Sequence, residues 1–314
     1  MPYVRLPVAS RGDIEAAAEL RWAALEAAKP ELGPAVALQR RLIALVIDLK
    51  QTIEHGPFPR LSLPGKYVQA KLVRGVPALA GEPLPLPVPL LRSTLLKLCH
   101  ELALGGGRAP AEHIAAEIES GALDAGSLLA ASLSRNQIAV RGDATRRGLA
   151  PDLVWLVSEL TVGPLAHRLL NAVFAAGHAT GIGSSALIGE ALDAWEHGYC
   201  PACGSWPAMA EVVDGHRTLR CSFCAAGWEL STYACIYCQE SADGFVTAAP
   251  DEERKDRRVE VCSGCGAYLK TIDATELSPF PLLAIGDLET MDLDVAAMDH
   301  GYTRPAMKDF RVRL

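Results

Sequence analysis

The chain has 314 residues, room for two or three domains, and half of it is apolar, which provides for a buried core and excludes a disordered tail protein. Thirty Lys and Arg against 37 Asp and Glu leave a formal charge of −7. That balance argues against a protein that coats nucleic acid or an anionic membrane through bulk charge.

The N-terminus, MPYVRLPVASRGD, has no apolar stretch behind its charges and does not read as a secretory signal. Residues 12–198 read mainly as helix. Gly33-Pro34 opens a segment with Leu38, Leu42, Leu45, Val46 and Leu49 on one face, the stripe of a half-buried helix. Prolines 77, 83, 85, 87 and 89 predict an extended connector. Ser93 is then expected to cap a helix whose buried face holds Leu95, Leu98, Cys99 and Leu102. Cys99 reads as a small core residue and His100 beside it as solvated. Gly105-Gly106-Gly107 lacks the G-x-x-x-x-G-K-[ST] pattern and reads as a loop between helices. Further helices are expected near Pro110–Ser120, Ala125–Leu133, Asp152–Ala176 and Ser185–Trp195, with a turn at Gly181-Ile182-Gly183. The longest stretch free of Asp, Glu, Lys and Arg, Leu169 to Gly189, carries too many polar residues and glycines for a membrane span. These features predict a cytoplasmic protein with no membrane insertion.

After residue 200 the texture changes. Met209–Val213 and His216–Arg220 flank Asp214-Gly215, the pair that favours a tight hairpin. Strands are also expected at Trp228–Ala234, Phe245–Ala249, Arg258–Val261 and Ala267–Ile272, with a solvated charged loop at Pro250–Arg257. Strands this short bury little and need a staple. The last forty residues return to helix or coil with an acidic stretch at Asp287, Glu289, Asp292, Asp294 and Asp299.

Nine cysteines are present, and eight of them form four Cys-x-x-Cys pairs: Cys200/Cys203, Cys221/Cys224, Cys235/Cys238 and Cys262/Cys265. A two-residue spacer lets the chain turn a knuckle so that both sulfurs face one ion. Two knuckles give the tetrahedral thiolate set suited to zinc or a single iron. Eight thiolates therefore predict two four-cysteine sites and two metal ions, iron or zinc. In a reducing compartment such pairs read as metal ligands or redox groups rather than disulfides. Sequential pairing places a hairpin between the knuckles of each site; cross-braced pairing, first with third and second with fourth, is the alternative. Gly204 and Gly266 each follow a second cysteine, where a positive φ can aim a backbone N–H at sulfur. His197 could replace a ligand, but with eight cysteines present a packing role fits it better. The simplest role for such sites is structural, since metal binding free energy is then folding free energy.

The predicted class is α+β multidomain. Residues 1–195 form an all-α domain, 196–234 and 235–272 two rubredoxin-like or zinc-ribbon β modules, and 273–314 an acidic helical C-terminal segment. No G-x-S-x-G or other catalytic arrangement stands outside the knuckles, so no catalytic residue is assigned. Residues 200–270 carry 7 Lys and Arg against 10 Asp and Glu, the wrong balance for neutralising phosphates.

The segments Cys200-Pro-Ala-Cys203-Gly204-Ser-Trp-Pro207, Leu219-Arg-Cys221-x-x-Cys224-x-x-x-Trp228, Cys235-x-x-Cys238 and Cys262-x-x-Cys265-Gly266-x-Tyr268-x-Lys270 resemble the FdhE family of formate dehydrogenase accessory proteins. The tail, Asp287-Leu288-x-x-x-Asp292-Leu293 followed by Met298-x-x-Gly301-Tyr302-x-Arg304, resembles that family too. The resemblance covers about Tyr199–Phe310. It implies a cytoplasmic, non-enzymatic maturation factor that contacts the catalytic subunit of formate dehydrogenase. It also implies a rubredoxin-like, iron-associated region with ligands Cys200, Cys203, Cys221, Cys224, Cys235, Cys238, Cys262 and Cys265. The alternatives are a rubredoxin-like redox protein, acting by electron transfer or thiol exchange, and a nucleic-acid-binding zinc ribbon, which the local charge disfavours.

Overall fold

The computed structural model describes residues 3–4, 9–57, 61, 63–179, 184–249 and 255–307. The expected turn at Gly181-Ile182-Gly183, residues 250–254 of the charged loop and Phe310 of the tail lie outside them. In chain order the elements are β1 (Tyr3–Val4), α1 (Arg11–Ala28), α2 (Gly33–His55), α3 (Gly65–Val73), α4 (Val88–Leu104), α5 (Arg108–Glu119), α6 (Ala125–Leu133), α7 (Gln137–Arg146), α8 (Pro151–Ala179) and α9 (Ser184–Asp193). There follow β2 (Met209–Val213), β3 (His216–Arg220), β4 (Gly227–Trp228), β5 (Phe245–Ala248), β6 (Arg257–Cys262), β7 (Ala267–Asp273), α10 (Leu283–Glu289) and α11 (Met291–Asp299). They gather into two compact units, one from residues 11–62 and 79–173, the other from residues 1–10, 63–78 and 174–310.

The first unit is helical. Of the stripe expected on α2, Val46 and Leu49 are buried and Leu38, Leu42 and Leu45 only half-buried; the buried face is turned toward Val36, Ile43, Val46, Ile47, Leu49 and Ile53. α4 buries Leu95, Leu98, Cys99 and Leu102 as expected, together with Leu91. Side chains at three- and four-residue spacing lie on one face, so each helix offers one apolar stripe to its neighbours. Cys99 is buried and burial pushes its thiol up to about 12, while His100 is exposed. The helix expected to begin at Ser93 begins at Val88 instead, with Pro89 in its first turn. Proline lacks only an N–H that the first turn leaves unpaired anyway, so the end of the proline run becomes the start of the helix. Asp124 and Asn136 cap α6 and α7 by accepting from Ser127 N–H and Ala139 N–H. Among the described residues one helical stretch, Pro151–Phe174, is long and apolar enough to cross a membrane, and two-thirds of its most apolar window is buried within the protein. Ser158 and Thr161 in it are fully buried and return their hydroxyls to the Trp155 and Val157 carbonyls.

The second unit is built on one seven-stranded sheet, in the order β1-β4-β3-β2-β7-β6-β5. The Asp214-Gly215 turn has positive φ at both residues, 51° and 81°, as a primed hairpin turn requires, and closes β2 on β3. β5 and β6 form a second hairpin, which β7 extends. The two hairpin modules meet through a parallel pairing of β2 with β7, Met209 opposite Lys270 through Val212 opposite Asp273. They share one sheet. α10 and α11 cover it: Leu283 packs on Met209 and Ile272, and Ala297 on Val259, Val261 and Tyr268. The strand expected at Trp228–Ala234 is Gly227–Trp228, which among the described residues pairs with Leu219 and Arg220 of β3 and with Tyr3 and Val4 of β1.

Candidate metal centres

All four knuckles have the same backbone. In the first, Cys200 N–H donates to the Ser205 carbonyl at 2.8 Å and Gly204 N–H returns to the Cys200 carbonyl at 2.9 Å. The pattern repeats at Cys221 with Ala226 and Ala225, and at Cys235 with Glu240 and Gln239. In the fourth, Cys262 faces Ala267 in the β6–β7 ladder and Gly266 N–H donates to the Cys262 carbonyl. Closing so tight a loop demands a left-handed residue after the second cysteine, and Gly204, Ala225, Gln239 and Gly266 all have φ between 64° and 81°. Glycine marks two of these positions in the sequence. The other two are held by Ala and Gln, which carry no signal of their own.

The knuckles converge sequentially. Cys200, Cys203, Cys221 and Cys224 form one cluster and Cys235, Cys238, Cys262 and Cys265 another, with the sulfurs of each set within 4.8 Å of one another. Cys200 Sγ lies 3.5 Å from Cys224 Sγ, and Cys203 Sγ 3.6 Å from Cys221 Sγ and 3.8 Å from Cys224 Sγ. In the second cluster the Cys235–Cys265 and Cys238–Cys262 separations are both 3.6 Å. A disulfide would bring sulfurs to about 2.05 Å. Four sulfurs about 2.3 Å from a tetrahedral ion stand about 3.8 Å apart. The donor sets therefore fit one ion each, and the two groups could hold two metal ions, with a geometry and ligand type common to iron and zinc.

The surroundings differ. Cys200, Cys203, Cys221 and Cys224 are all buried, and burial pushes the Cys200 and Cys224 thiols well above their ordinary range. Ser205 Oγ lies 3.2 Å from Cys203 Sγ. Arg220, also fully buried, stands within electrostatic reach of Cys221 and Cys224. Its guanidinium pairs with the buried Glu211 carboxylate and donates to the Ser278 carbonyl at 2.7 Å. Ser278 N–H in turn donates to Glu211. Nothing in the local sequence distinguishes Glu211 and Arg220 from ordinary strand charges.

An aromatic chain runs past both clusters. His197 stacks on Tyr199 with ring centres 5.0 Å apart, Tyr199 meets Trp206 edge-on at 5.8 Å, and Trp206 meets Tyr237 of the third knuckle at 4.8 Å. His197 packs rather than ligates, and its carbonyl accepts from Trp228 Nε1 at 3.1 Å. Gly198 passes so close to the third knuckle that a Cβ there would lie 2.0 Å from the Ile236 carbonyl oxygen. Backbone cannot yield as a side chain can. Gly198→Ala is therefore expected to cost about 1–3 kcal/mol, the usual range for overpacking. A lowered urea midpoint checks it, and an unchanged midpoint would show that the two segments separate freely.

The tail motif assembles beside the sheet. Lys270, fully buried, reaches Asp287 and Asp294 at 2.7 Å, and Arg304 reaches the same two carboxylates at 3.1 and 2.7 Å. Tyr268 Oη donates to Asp294 at 2.8 Å. Burial pushes the Asp287 carboxyl up, but the Lys270 and Arg304 charges more than offset it and hold it below its ordinary value. The tail motif's charged ends thus stitch α10, α11 and β7 together.

The fold and sites define a class: a protein with a helical unit and two four-cysteine knuckle clusters on one mixed sheet. No family model matches the chain. It is 38% identical over 117 residues to a protein FdhE homolog of Pseudomonas putida and 30% identical over 118 residues to one of Aquifex aeolicus. These stretches cover 34% and 35% of this chain, and the matches span only 36% and 40% of the relatives' own length. The crystal structure of the FdhE protein from Pseudomonas aeruginosa shares the fold, with a TM-score of 0.58 at 22% identity over 98% of this chain and 97% of that one. The cysteine-rich stretch is thus similar in sequence to FdhE proteins, and the chain shares the fold of one of them.

Proposed function

We propose that the protein is a cytoplasmic, non-enzymatic accessory factor for the maturation of formate dehydrogenase. In this reading it binds the catalytic subunit, and each four-cysteine cluster holds one iron or zinc ion. Cys200, Cys203, Cys221 and Cys224 ligate the first ion; Cys235, Cys238, Cys262 and Cys265 ligate the second. The observation that carries the reading is two preformed tetrathiolate sets on one sheet in a chain related to FdhE proteins. A bound iron would add one-electron redox chemistry and a bound zinc would not. The chain's own residues supply the rest: the knuckles position sulfur, and the Arg220–Glu211 and Lys270–Asp287–Asp294–Arg304 groups fix the strands that carry them.

The test has two parts. The protein purified without oxygen is expected to carry two ions per chain and to co-purify with a formate dehydrogenase catalytic subunit. A strain lacking it is expected to lose formate dehydrogenase activity. Normal activity in that strain, with no association under anaerobic conditions, would overturn the reading. A reversibly bleached iron–thiolate absorption band would add a redox step, whereas a colourless two-zinc protein would limit the centres to structure and docking.

A further inference from the structure

The two clusters share a backbone but not an environment. In the first, all four cysteines are at most 6% exposed. Their own knuckles seal them: Ala202, Phe223, Ala225, Ala226 and Trp228 are at most 4% exposed. In the second, Cys235 and Cys262 are buried while Cys238 and Cys265 are exposed. The exposed pair comprises the second cysteine of each knuckle, so one edge of the cluster faces solvent. Gln239, Ser263 and Gly264 around that edge are exposed too. Gly264 carries no side chain where a Cβ would stand 3.6 Å from Cys262 Sγ.

We propose that the second centre is a ligand-exchange site for thiols, while the first is an inert structural centre. The inference rests on the metal-ligand reading of the eight cysteines. A four-coordinate thiolate ion exchanges ligands by adding a fifth donor before losing one. That requires a path to the ion. The first centre offers none; the second offers the Cys238–Cys265 edge. An incoming thiol forms a sulfur–metal bond there, and the bond from Cys238 or Cys265 breaks. The proton released by the incoming thiol ends on the departing cysteine. Nothing is oxidised or reduced, and the ion keeps its charge. The released cysteine sits at the surface, where either a small free thiol or a cysteine of a bound protein can approach it.

The experiment follows metal release from the full chain, first assayed for two ions. Three acceptors are compared: a dithiol chelator, glutathione, and the cysteine-rich apoprotein thionein. Two phases of one ion each are expected with the chelator, the faster by roughly tenfold or more. Trapping with N-ethylmaleimide during the fast phase should label Cys238 and Cys265 ahead of Cys200, Cys203, Cys221 and Cys224. Cys265→Ala should abolish the fast phase and leave the slow one. Acceleration by glutathione identifies a small-thiol source, and acceleration by thionein alone a protein source. Release of both ions at one rate, label appearing equally in both clusters, or no response to either thiol would overturn the proposal. Fewer than two ions at the outset would instead overturn the metal reading beneath it.

Discussion

Glu211→Ala is expected to destabilise the sheet unit by about 3–5 kcal/mol, the usual cost of removing one partner from a buried ion pair. Glu211 and Arg220 are both fully buried, on adjacent strands. Burial alone pulls the Arg220 guanidinium below its ordinary range, against the opposing pull of Glu211. With the carboxylate gone, that charge stays in the interior with its strongest partner lost, facing the Ser278 carbonyl and the more distant Cys221 and Cys224 sulfurs. Ser278 N–H loses its acceptor at the same time. The paired substitution Glu211→Leu with Arg220→Met removes both charges and keeps volume, so it should recover most of the loss. Urea unfolding of the metal-loaded protein, arranged as a double-mutant cycle, measures this. A single-mutant loss below about 1 kcal/mol would mean the pair behaves as an exposed one.

What was legible in the sequence was whatever has a local cause. The β2–β3 hairpin follows from Asp214-Gly215 and the α4 stripe from side-chain spacing. Spacing gives α2 as a helix but sets its buried face slightly off, since Ile43 and Ile47 are buried where Leu42 and Leu45 were expected. The grouping of cysteines into knuckles follows from the two-residue spacer. Helices α1, α3 and α7 are not among those individually expected: α3 and α7 are short, and α7 has little apolar pattern beyond its Asn136 cap, whereas α1 does carry a stripe at Ile14, Ala18, Trp22 and Leu25. The parallel join of β2 to β7 was illegible because it pairs residues about sixty positions apart, with no turn to announce it. For that reason two modules that look separate in sequence share a sheet. Solvent exposure of Cys238 and Cys265 was equally hidden, since all four knuckles share one motif and only their burial differs. The resemblance to FdhE proteins did mark Tyr268, Lys270, Asp287 and Arg304. Their common purpose, a polar network across three elements, emerges only when α10 and α11 return to the sheet.

Cys200→Ala is expected to abolish folding of the sheet unit rather than weaken it. A structural tetrathiolate ion contributes about 10–16 kcal/mol of apparent binding free energy to the fold it closes. A domain's net stability is about 5–15 kcal/mol. Removing one of four buried thiolates forfeits most of the first figure, and the remainder cannot cover the second. The first knuckle is also where the Cys200 carbonyl and N–H close their turn, and Ala preserves those bonds. Any loss therefore reports the sulfur and not the backbone. Metal content should fall below two ions per chain, and the near-ultraviolet signal of Trp195, Trp206 and Trp228 should collapse. Far-ultraviolet helicity should persist, because α2 and α4 bury their stripes within a unit that contains none of the eight ligands. A variant that kept a cooperative unfolding transition within about 1 kcal/mol of the parent would show that the sheet and its covering helices hold this cluster's strands without the ion.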